Sequence, residues 1–143
     1  MAGTFSQIYI QMVFAVKGRE NLINKLWKDE LHKYIAGIIK SKDQKPIIVN
    51  GVSDHIHAFI GLKPSMAISD LVREVKNNTS NFINDQKFVK GKFAWQEGYG
   101  AFSIGVSQRA GKVKYIESQA EHHKRISSEE EFKKFLAAHG IEG

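Results

Sequence analysis

The chain has 143 residues, a length typical of one domain with a substantial core. It contains no cysteine, which excludes disulfides, thiolate metal sites and cysteine nucleophiles. Lysine and arginine number 21 against 15 acidic residues, and the resulting formal net charge of +6 favours a polyanionic partner. We recognise no signal peptide and no apolar stretch long enough to span a bilayer, so we expect a cytoplasmic protein with no membrane partner. No repeat or linker interrupts residues 1–143, which predicts a single domain.

The first half of the chain predicts a strand, a helix and a hairpin. Residues 5–16 alternate apolar and polar side chains, which is typical of a half-buried strand. Asn21 can cap a helix, because apolar residues recur after it at helical spacing. Two further strands, over 47–52 and 55–62, are separated by a turn-forming Ser-Asp pair, so we expect them to form an antiparallel hairpin.

The second half predicts a long helix, a fourth strand and two more helices. Apolar residues at helical spacing indicate an amphipathic helix over 68–83. The glycine-punctuated stretch 91–105 is expected to contain a strand, and a third helix follows over 108–124. Ser127 and Glu130 form an S-x-x-E capping box, which predicts the start of a short last helix.

This order of elements predicts the fold class. Strand, helix, strand, strand, helix, strand is the split β-α-β arrangement of α+β, ferredoxin-like domains. We therefore expect an antiparallel sheet with helices on one face, the other face left open, and a C-terminal helix that carries Tyr115. Because this fold supports many functions, the chemistry must be inferred from particular residues.

Two histidines in the third predicted strand suggest a metal site. His55 and His57 are two residues apart, so both imidazoles project from one face, while Ile56 and its alternate neighbours project towards the core. Two adjacent imidazoles can bind one divalent ion, which needs a third ligand and open positions to be catalytic. The alternative is a pair of surface histidines that binds no metal.

The third predicted helix carries a second set of polar residues. Tyr115, Gln119 and His122 stand at positions i, i+4 and i+7, nearly opposite Val113 and Ile116. A phenol and an amide one turn apart can bring a nucleophile and a neutral oxygen ligand to one site. The alternative is an exposed tyrosine and glutamine on a solvated helix.

Together these two regions resemble a known family, the single-tyrosine HUH transposases of the insertion-sequence 200/605 type, which include the repeat-associated tyrosine transposases. The most specific part of the resemblance is a Tyr-x3-Gln-x2-His-His pattern downstream of W-Q-x2-Y. The resemblance covers nearly the whole chain, and the stretches that carry it are SDHIHAFIGLKPS, SDLVREVKNNTSNFI, FAWQEGYGAFSIG and VKYIESQAEHHKRISSEEEFKKFLAAHGI.

The resemblance implies a reaction and a set of site residues. His55 and His57 match ligands of Mg2+ or Mn2+, Gln119 matches the third ligand, and Tyr115 matches the nucleophile. The implied reaction cleaves and rejoins single-stranded or hairpin DNA through a 5′-phosphotyrosine intermediate. The implied assembly is a homodimer, in which the tyrosine helix often docks in trans. Residues expected to contact DNA are Lys63, Arg73, Lys76, Lys112, Lys114 and His122.

Three other functions stay open at this stage. A domesticated relative would bind nucleic-acid hairpins without transposition activity. A relaxase or replication initiator would use the same histidine pair, although those enzymes are usually larger and contain several domains. A metal-dependent hydrolase would leave Tyr115 as a bystander and would form no covalent protein–DNA adduct.

Overall fold

A computed structural model of the chain describes residues 4–119, 128–138 and 140. Four strands form one antiparallel sheet in the order β2-β3-β1-β4. The strands are β1 (Tyr9–Ala15), β2 (Lys45–Val52), β3 (His55–Gly61) and β4 (Gly100–Ile104). This is the strand order of a ferredoxin-like sheet, and the predicted α+β fold class is confirmed.

Four α-helices and two 3-10 turns complete the described part of the chain. None of these helices is both long and apolar enough to span a bilayer. The helices are α1 (Lys28–Ser41), α2 (Ile68–Gln86), α3 (Arg109–Glu117) and α4 (Ser128–Ala138), and the 3-10 turns are Lys17–Arg19 and Val106–Gln108.

The main core lies between the sheet and the pair α1 and α2. Alternate residues of a strand point to one face, and on this face of β1 and β3 every second residue is apolar and buried. Leu31, Ile35 and Ile39 of α1 contribute to the same cluster, as do Leu71 and Val75 of α2. The strand residues of this cluster are Ile10, Met12, Phe14, Ile56, Ala58 and Ile60.

The opposite face, expected to stay open, carries α3 over part of its area. Ile116 of α3 is completely buried against Phe59 of β3 and Ile104 of β4. Half-buried Val113 and Tyr115 pack against the same small cluster. As a result, polar side chains that a bare sheet would expose to water are enclosed between the sheet and the C-terminal helices.

The ends of two helices differ from the sequence prediction. The first helix was expected to follow Asn21, but α1 begins at Lys28, because the preceding residues are bound to the hairpin turn. Ile23 N donates to Ser53 O at 2.9 Å, and Ser53 Oγ donates to Asn21 Oδ1 at 2.7 Å. The helix α3 ends at Glu117, whereas residues 120–124 of the helix predicted over 108–124, like the predicted cap residue Ser127, lie outside the described residues.

Candidate metal and nucleophile site

Both predicted histidines lie side by side on β3, on the face that α3 covers. His55 is 2 % exposed and His57 1 % exposed, and their ring centroids are 5.0 Å apart. The strand β2 passes very close to them at Gly51, where a Cβ atom would stand 2.3 Å from the carbonyl oxygen of His55. A glycine at this position therefore allows the hairpin to close tightly beside the pair.

Each imidazole is held through its Nδ1 atom. The Nδ1 of His55 lies 2.7 Å from Oδ1 of Asp54, and the Nδ1 of His57 lies 2.8 Å from Nε2 of Gln11. Gln11 belongs to β1 and is completely buried. With Nδ1 occupied in both rings, the two Nε2 atoms face the same enclosed space. Asp54 accepts from Nδ1–H of His55, as such partners do at metal sites. The Nε2 of Gln11 can only donate, so Nδ1 of His57 accepts here, and ligation through Nε2 of His57 requires the amide to turn its unpaired Oε1 towards Nδ1.

The helix α3 brings Tyr115 to this space, and Gln119, two residues after the end of α3, reaches it as well. Asn50 of β2 holds the end of the helix, since its Nδ2 donates to the carbonyl of Ile116 at 2.8 Å. The Tyr115 ring lies edge-on to His57 of the same chain, with centroids 5.9 Å apart. Gln119 is completely buried and Tyr115 is half-buried. The structure therefore excludes the alternative of an exposed tyrosine and glutamine on a solvated helix.

A fourth side chain, which the sequence analysis did not identify, occupies the centre of the site. Glu131 of α4 is 4 % exposed. Its Oε1 lies 3.1 Å from Nε2 of His55 and 3.2 Å from Nε2 of His57. Its Oε2 accepts a hydrogen bond from the hydroxyl of Tyr115 and another, at 3.3 Å, from Nε2 of Gln119.

These contacts shift the protonation of the cluster. Burial lowers the pKa of His55, but the hydrogen bonds and charges of Asp54 and Glu131 outweigh it and raise that pKa above 6.5. Burial raises the pKa of Glu131, but the hydrogen bonds from His55 and His57 hold it far below 4.5. Burial, reinforced by Glu131, raises the pKa of Tyr115 well above 10. At neutral pH the carboxylate is therefore ionised and the phenol keeps its proton.

The donor atoms fit a divalent cation. His55, His57 and Glu131 each offer one ligand atom, and these atoms lie within 4.8 Å of one another. Oε1 of Gln119 is buried and has no hydrogen-bond partner, so it is available as a further oxygen ligand. Two imidazole nitrogens with a carboxylate and an amide oxygen form a mixed set that suits a first-row divalent ion or Mg2+.

Two of the expected DNA contacts border one groove. A groove of about 960 Å3, called here the basic groove, runs between α2 and residues 92–99, and it is lined in part by Arg73, Lys76 and Lys92. Lys76 is also a structural residue, because its Nζ donates to the carbonyls of Gln96 and Gly98 at 2.6 and 2.7 Å. The walls of the groove are therefore basic, and one of the basic residues, Lys76, also holds the backbone of residues 96–98 in place.

The other expected DNA contacts are dispersed. Lys63 pairs with Asp43 at 3.0 Å, on the strand connections at the far end of β3 from the histidines. Lys112 lies over the Tyr115 ring, 5.1 Å from its centroid, and Lys114 is exposed on α3. His122 lies outside the described residues.

A smaller cavity lies beside His55 and shares part of its wall with the basic groove. It has a volume of about 240 Å3 and is lined by His55, Arg19 and the segment 96–100, of which residues 96–99 also line the basic groove. Gln96 N donates to Ala15 O at 2.7 Å, which fixes this segment to the end of β1. Tyr99, 43 % exposed, lines both cavities.

Comparisons with known proteins identify the family and agree with the fold. The family model of IS200-like transposases matches residues 4–119. A candidate transposase from Deinococcus radiodurans R1 shares the fold, with a TM-score of 0.68 and 20 % identity over 83 % of this chain and 95 % of that one. A REP-associated tyrosine transposase bound to a REP hairpin gives a TM-score of 0.63 and 14 % identity over 86 % of this chain and 74 % of that one. A search of curated protein sequences gives no significant match.

Proposed function

The chain belongs to the IS200-like transposase family, and from this premise we propose that it cleaves and rejoins single-stranded DNA through a covalent bond to Tyr115. The observation that carries the proposal is the placement of Tyr115 beside two histidines whose Nε2 atoms converge. A phenol in contact with a cation-binding cluster is the arrangement that a covalent phosphoryl transfer requires. We further propose that residues 1–143 act as one transposase domain.

The proposed reaction conserves the energy of the phosphodiester bond. Oη of Tyr115 bonds to phosphorus, the bond from phosphorus to the 3′ oxygen breaks, and the products are a 5′-phosphotyrosine and a free 3′-OH. The proton that the phenol loses is balanced by the proton that the leaving 3′ oxygen gains. Attack of a 3′-OH on the tyrosine ester reverses these steps and rejoins DNA, so no nucleotide cofactor is consumed.

We propose that the reaction requires a divalent cation at this cluster. The pKa of Tyr115 is raised by burial and by Glu131, so the phenol is a poor nucleophile by itself. We propose that His55, His57 and Gln119 hold Mg2+ or Mn2+. When bound, such an ion supplies stabilisation of the negative charge that develops on the phosphate oxygens. Asp54 and Gln11 keep the two imidazoles aimed at that position.

The basic groove supports a nucleic-acid substrate. Lys17, Arg73 and Lys92 line it together with amide side chains of α2, and Tyr99 offers an exposed ring on which a base can stack. The cavity beside His55 shares residues 96–99 with this groove, and we propose that one DNA strand follows this shared wall towards the histidine pair. We therefore propose single-stranded or hairpin DNA as the substrate, in keeping with the REP hairpin bound by one structural relative.

We propose a homodimer as the active assembly. Excision of a DNA segment requires cuts at two ends, and each chain supplies one Tyr115 for one cut at a time. In the single chain Tyr115 already contacts its own His57, so docking in trans would require α3 to exchange between subunits. Light scattering with and without hairpin DNA should give the mass of two chains, and a monomer mass in both conditions would contradict this part of the proposal.

The decisive experiment is a search for the covalent adduct. Protein, labelled single-stranded hairpin DNA and Mn2+ should give a denaturant-resistant protein–DNA complex, and Tyr115→Phe should abolish it. Tyr34→Phe is the matched control, because Tyr34 lies on α1 in the other layer and is 37 % exposed. Cleavage that persists in Tyr115→Phe would indicate a metal-dependent hydrolase. Binding without cleavage by the unaltered protein would indicate a hairpin-binding module.

A further inference from the structure

The carboxylate of Glu131 lies between the histidine pair on β3 and the side chains of Tyr115 and Gln119. Its Oε1 faces both histidine Nε2 atoms, and its Oε2 faces the hydroxyl of Tyr115 and the amide of Gln119. With 4 % of its surface exposed, it makes these contacts in place of contacts with water. An ionised carboxylate is desolvated at considerable free-energy cost, so a buried one is generally paired with cations or metal ions.

The geometry of these contacts is close to that of a coordination sphere. Ligand atoms that share one cation at about 2.1 Å are separated by roughly 3 to 4 Å in tetrahedral or octahedral sites. The 3.1 and 3.2 Å distances from Glu131 Oε1 to His55 and His57 Nε2 lie in that range. The three ligand atoms already lie within 4.8 Å of one another, and ligation requires that both histidine Nε2 atoms be unprotonated.

We propose that Glu131 is a ligand of the same cation as His55 and His57, and that it tunes the site towards Mg2+ and Mn2+. This inference rests on the metal site of the proposed function and adds the C-terminal helix to it. Imidazole ligands suit Zn2+, Cu2+ and Ni2+, whereas carboxylate oxygen suits Mg2+ and Mn2+. A carboxylate also brings a negative charge, which a site built from two imidazoles and an amide lacks.

Binding of the cation should also stabilise the position of α4. Because Glu131 is on α4, ligation ties the helix Ser128–Ala138 to β3, which carries both histidines. The same carboxylate accepts the hydrogen bond from Tyr115, so the nucleophile and the cation are positioned by one side chain. Addition of Mn2+ should therefore slow amide hydrogen exchange in α4.

The test is cation binding by calorimetry on the 143-residue chain. Glu131→Gln preserves the shape and removes the charge, and we expect Mg2+ and Mn2+ affinity to fall at least about 10-fold, with a smaller loss for Co2+. The matched control is Glu130→Gln, since Glu130 is the preceding residue of α4 and is exposed. Mn2+ should slow amide exchange of α4 in the control and leave it unchanged in Glu131→Gln.

Two further variants, Glu131→Asp and His57→Ala, distinguish failure of this inference from failure of the proposed metal site. Circular dichroism checks folding, and if Glu131→Gln does not fold, Glu131→Asp replaces it with the same expected loss, because the oxygens are withdrawn by one methylene. Unchanged or tighter Mn2+ binding in the folded variant would overturn the inference, and tighter binding would show that Glu131 competes with the cation. Unchanged binding in His57→Ala would instead overturn the metal site of the proposed function.

Discussion

The two faces of the sheet are built on different physical principles. Towards α1 and α2, the faces of β1 and β3 bury apolar side chains that interdigitate with residues such as Leu31 and Ile35. Towards α3 and α4, the same strands bury Gln11, His55 and His57 in a network of hydrogen bonds. One strand thus alternates between a packed apolar layer and an enclosed polar site.

The difference indicates which face provides stability and which provides chemistry. Burial of apolar area is the main favourable term in folding, and it requires a close fit more than particular chemical groups. Buried polar and charged groups contribute little net stability, because desolvation offsets much of what their contacts return. A group of buried polar side chains such as these two histidines, the glutamate and Gln119 is typical of a functional site, in keeping with the reaction proposed above.

The largest effect should come from the apolar face. Ile35→Ala removes a completely buried side chain of α1, and we expect a loss of about 2–5 kcal/mol in the free energy of unfolding. Lys33→Ala, on the exposed side of the same helix, should change stability by less than about 0.5 kcal/mol. Urea unfolding measures both. If Mn2+ affinity of the folded Ile35→Ala protein falls as well, the two faces are coupled and the comparison fails.

Substitution of the histidine pair should have the opposite effect, a loss of Mn2+ binding with little loss of stability. The double substitution His55→Ala with His57→Ala should weaken Mn2+ binding at least about 100-fold, or about 2.7 kcal/mol, and abolish cleavage while the protein stays folded. His32→Ala is the control, since His32 is a buried histidine on α1 in the other layer. Calorimetry that finds equal Mn2+ affinity in the double variant would show that the cation binds elsewhere.

The apolar face and the strands could be predicted from sequence, because they depend on the local spacing of apolar residues. The strand predicted over 55–62 is observed as His55–Gly61, and the helix predicted over 68–83 is observed as Ile68–Gln86. The position of His55 and His57 on one face also follows directly from the two-residue period of a strand. The start of α1 was missed, because contacts of Asn21 and Ile23 with the hairpin turn override the local signal.

The polar site could be predicted only in part, because its completion depends on tertiary contacts. Glu131 is one of three consecutive glutamates, and such a run at the start of a helix usually indicates capping and a solvated face. The one available signal is Phe135 four residues later in the sequence, which assigns Glu131 to the apolar side of a helical pattern. That signal does not specify which part of the fold the helix covers.

A pH titration can sharpen the contrast through His32. Burial, with a smaller contribution from Lys28, lowers the pKa of His32 to about 4, and its Nε2 has no hydrogen-bond partner. The unfolded chain binds this proton near pH 6.5 and the folded chain only near pH 4. The contribution of neutral His32 to the free energy of unfolding is therefore complete above pH 6.5, and it is lost progressively as the pH falls from 6.5 to 4. From pH 7.5 to pH 5 the loss due to His32 should be roughly 2 kcal/mol.

The measurement compares the unaltered protein with His32→Leu in urea at both pH values. The variant removes one titration and leaves every other group in place, so the difference between the two proteins isolates His32. We expect the stability of His32→Leu relative to the unaltered protein to rise by roughly 2 kcal/mol on acidification. A constant difference between the two proteins would mean that His32 takes up its proton at the ordinary pH.

Substitutions in the basic groove test whether DNA binding also uses α2, the helix that packs on the apolar face of the sheet and forms one wall of the groove. Arg73→Glu combined with Lys92→Glu should weaken hairpin DNA binding at least about 10-fold, or about 1.4 kcal/mol, and reduce the salt dependence by about two counterions. The control reverses Lys33 and Lys40, two exposed lysines of α1. An equal loss in the control would indicate attraction by net charge alone rather than binding in this groove.

The smallest effect concerns Asn50, which joins the sheet to the nucleophile helix. Its Nδ2 donates to the carbonyls of Ile116 and Glu117 at 2.8 and 3.3 Å, so it satisfies two backbone acceptors at the end of α3. Asn50→Ala should lower stability by about 1 kcal/mol. Because Tyr115 precedes these carbonyls, the rate of adduct formation should fall further than the stability change explains.

Asn78→Ala is the matched control for this last effect. Asn78 is also half-buried, and its Nδ2 also donates to a helix carbonyl, that of Glu74 at 2.7 Å, but it lies on α2 in the other layer. Its loss should reduce stability by a similar amount, about 1 kcal/mol, and leave the adduct rate unchanged when both variants are fully folded. Equal adduct rates in the two variants would show that Asn50 only stabilises the fold. A slower rate confined to Asn50→Ala would show that β2 positions Tyr115, because both substitutions remove a hydrogen bond to a helix carbonyl and only that of Asn50 reaches α3.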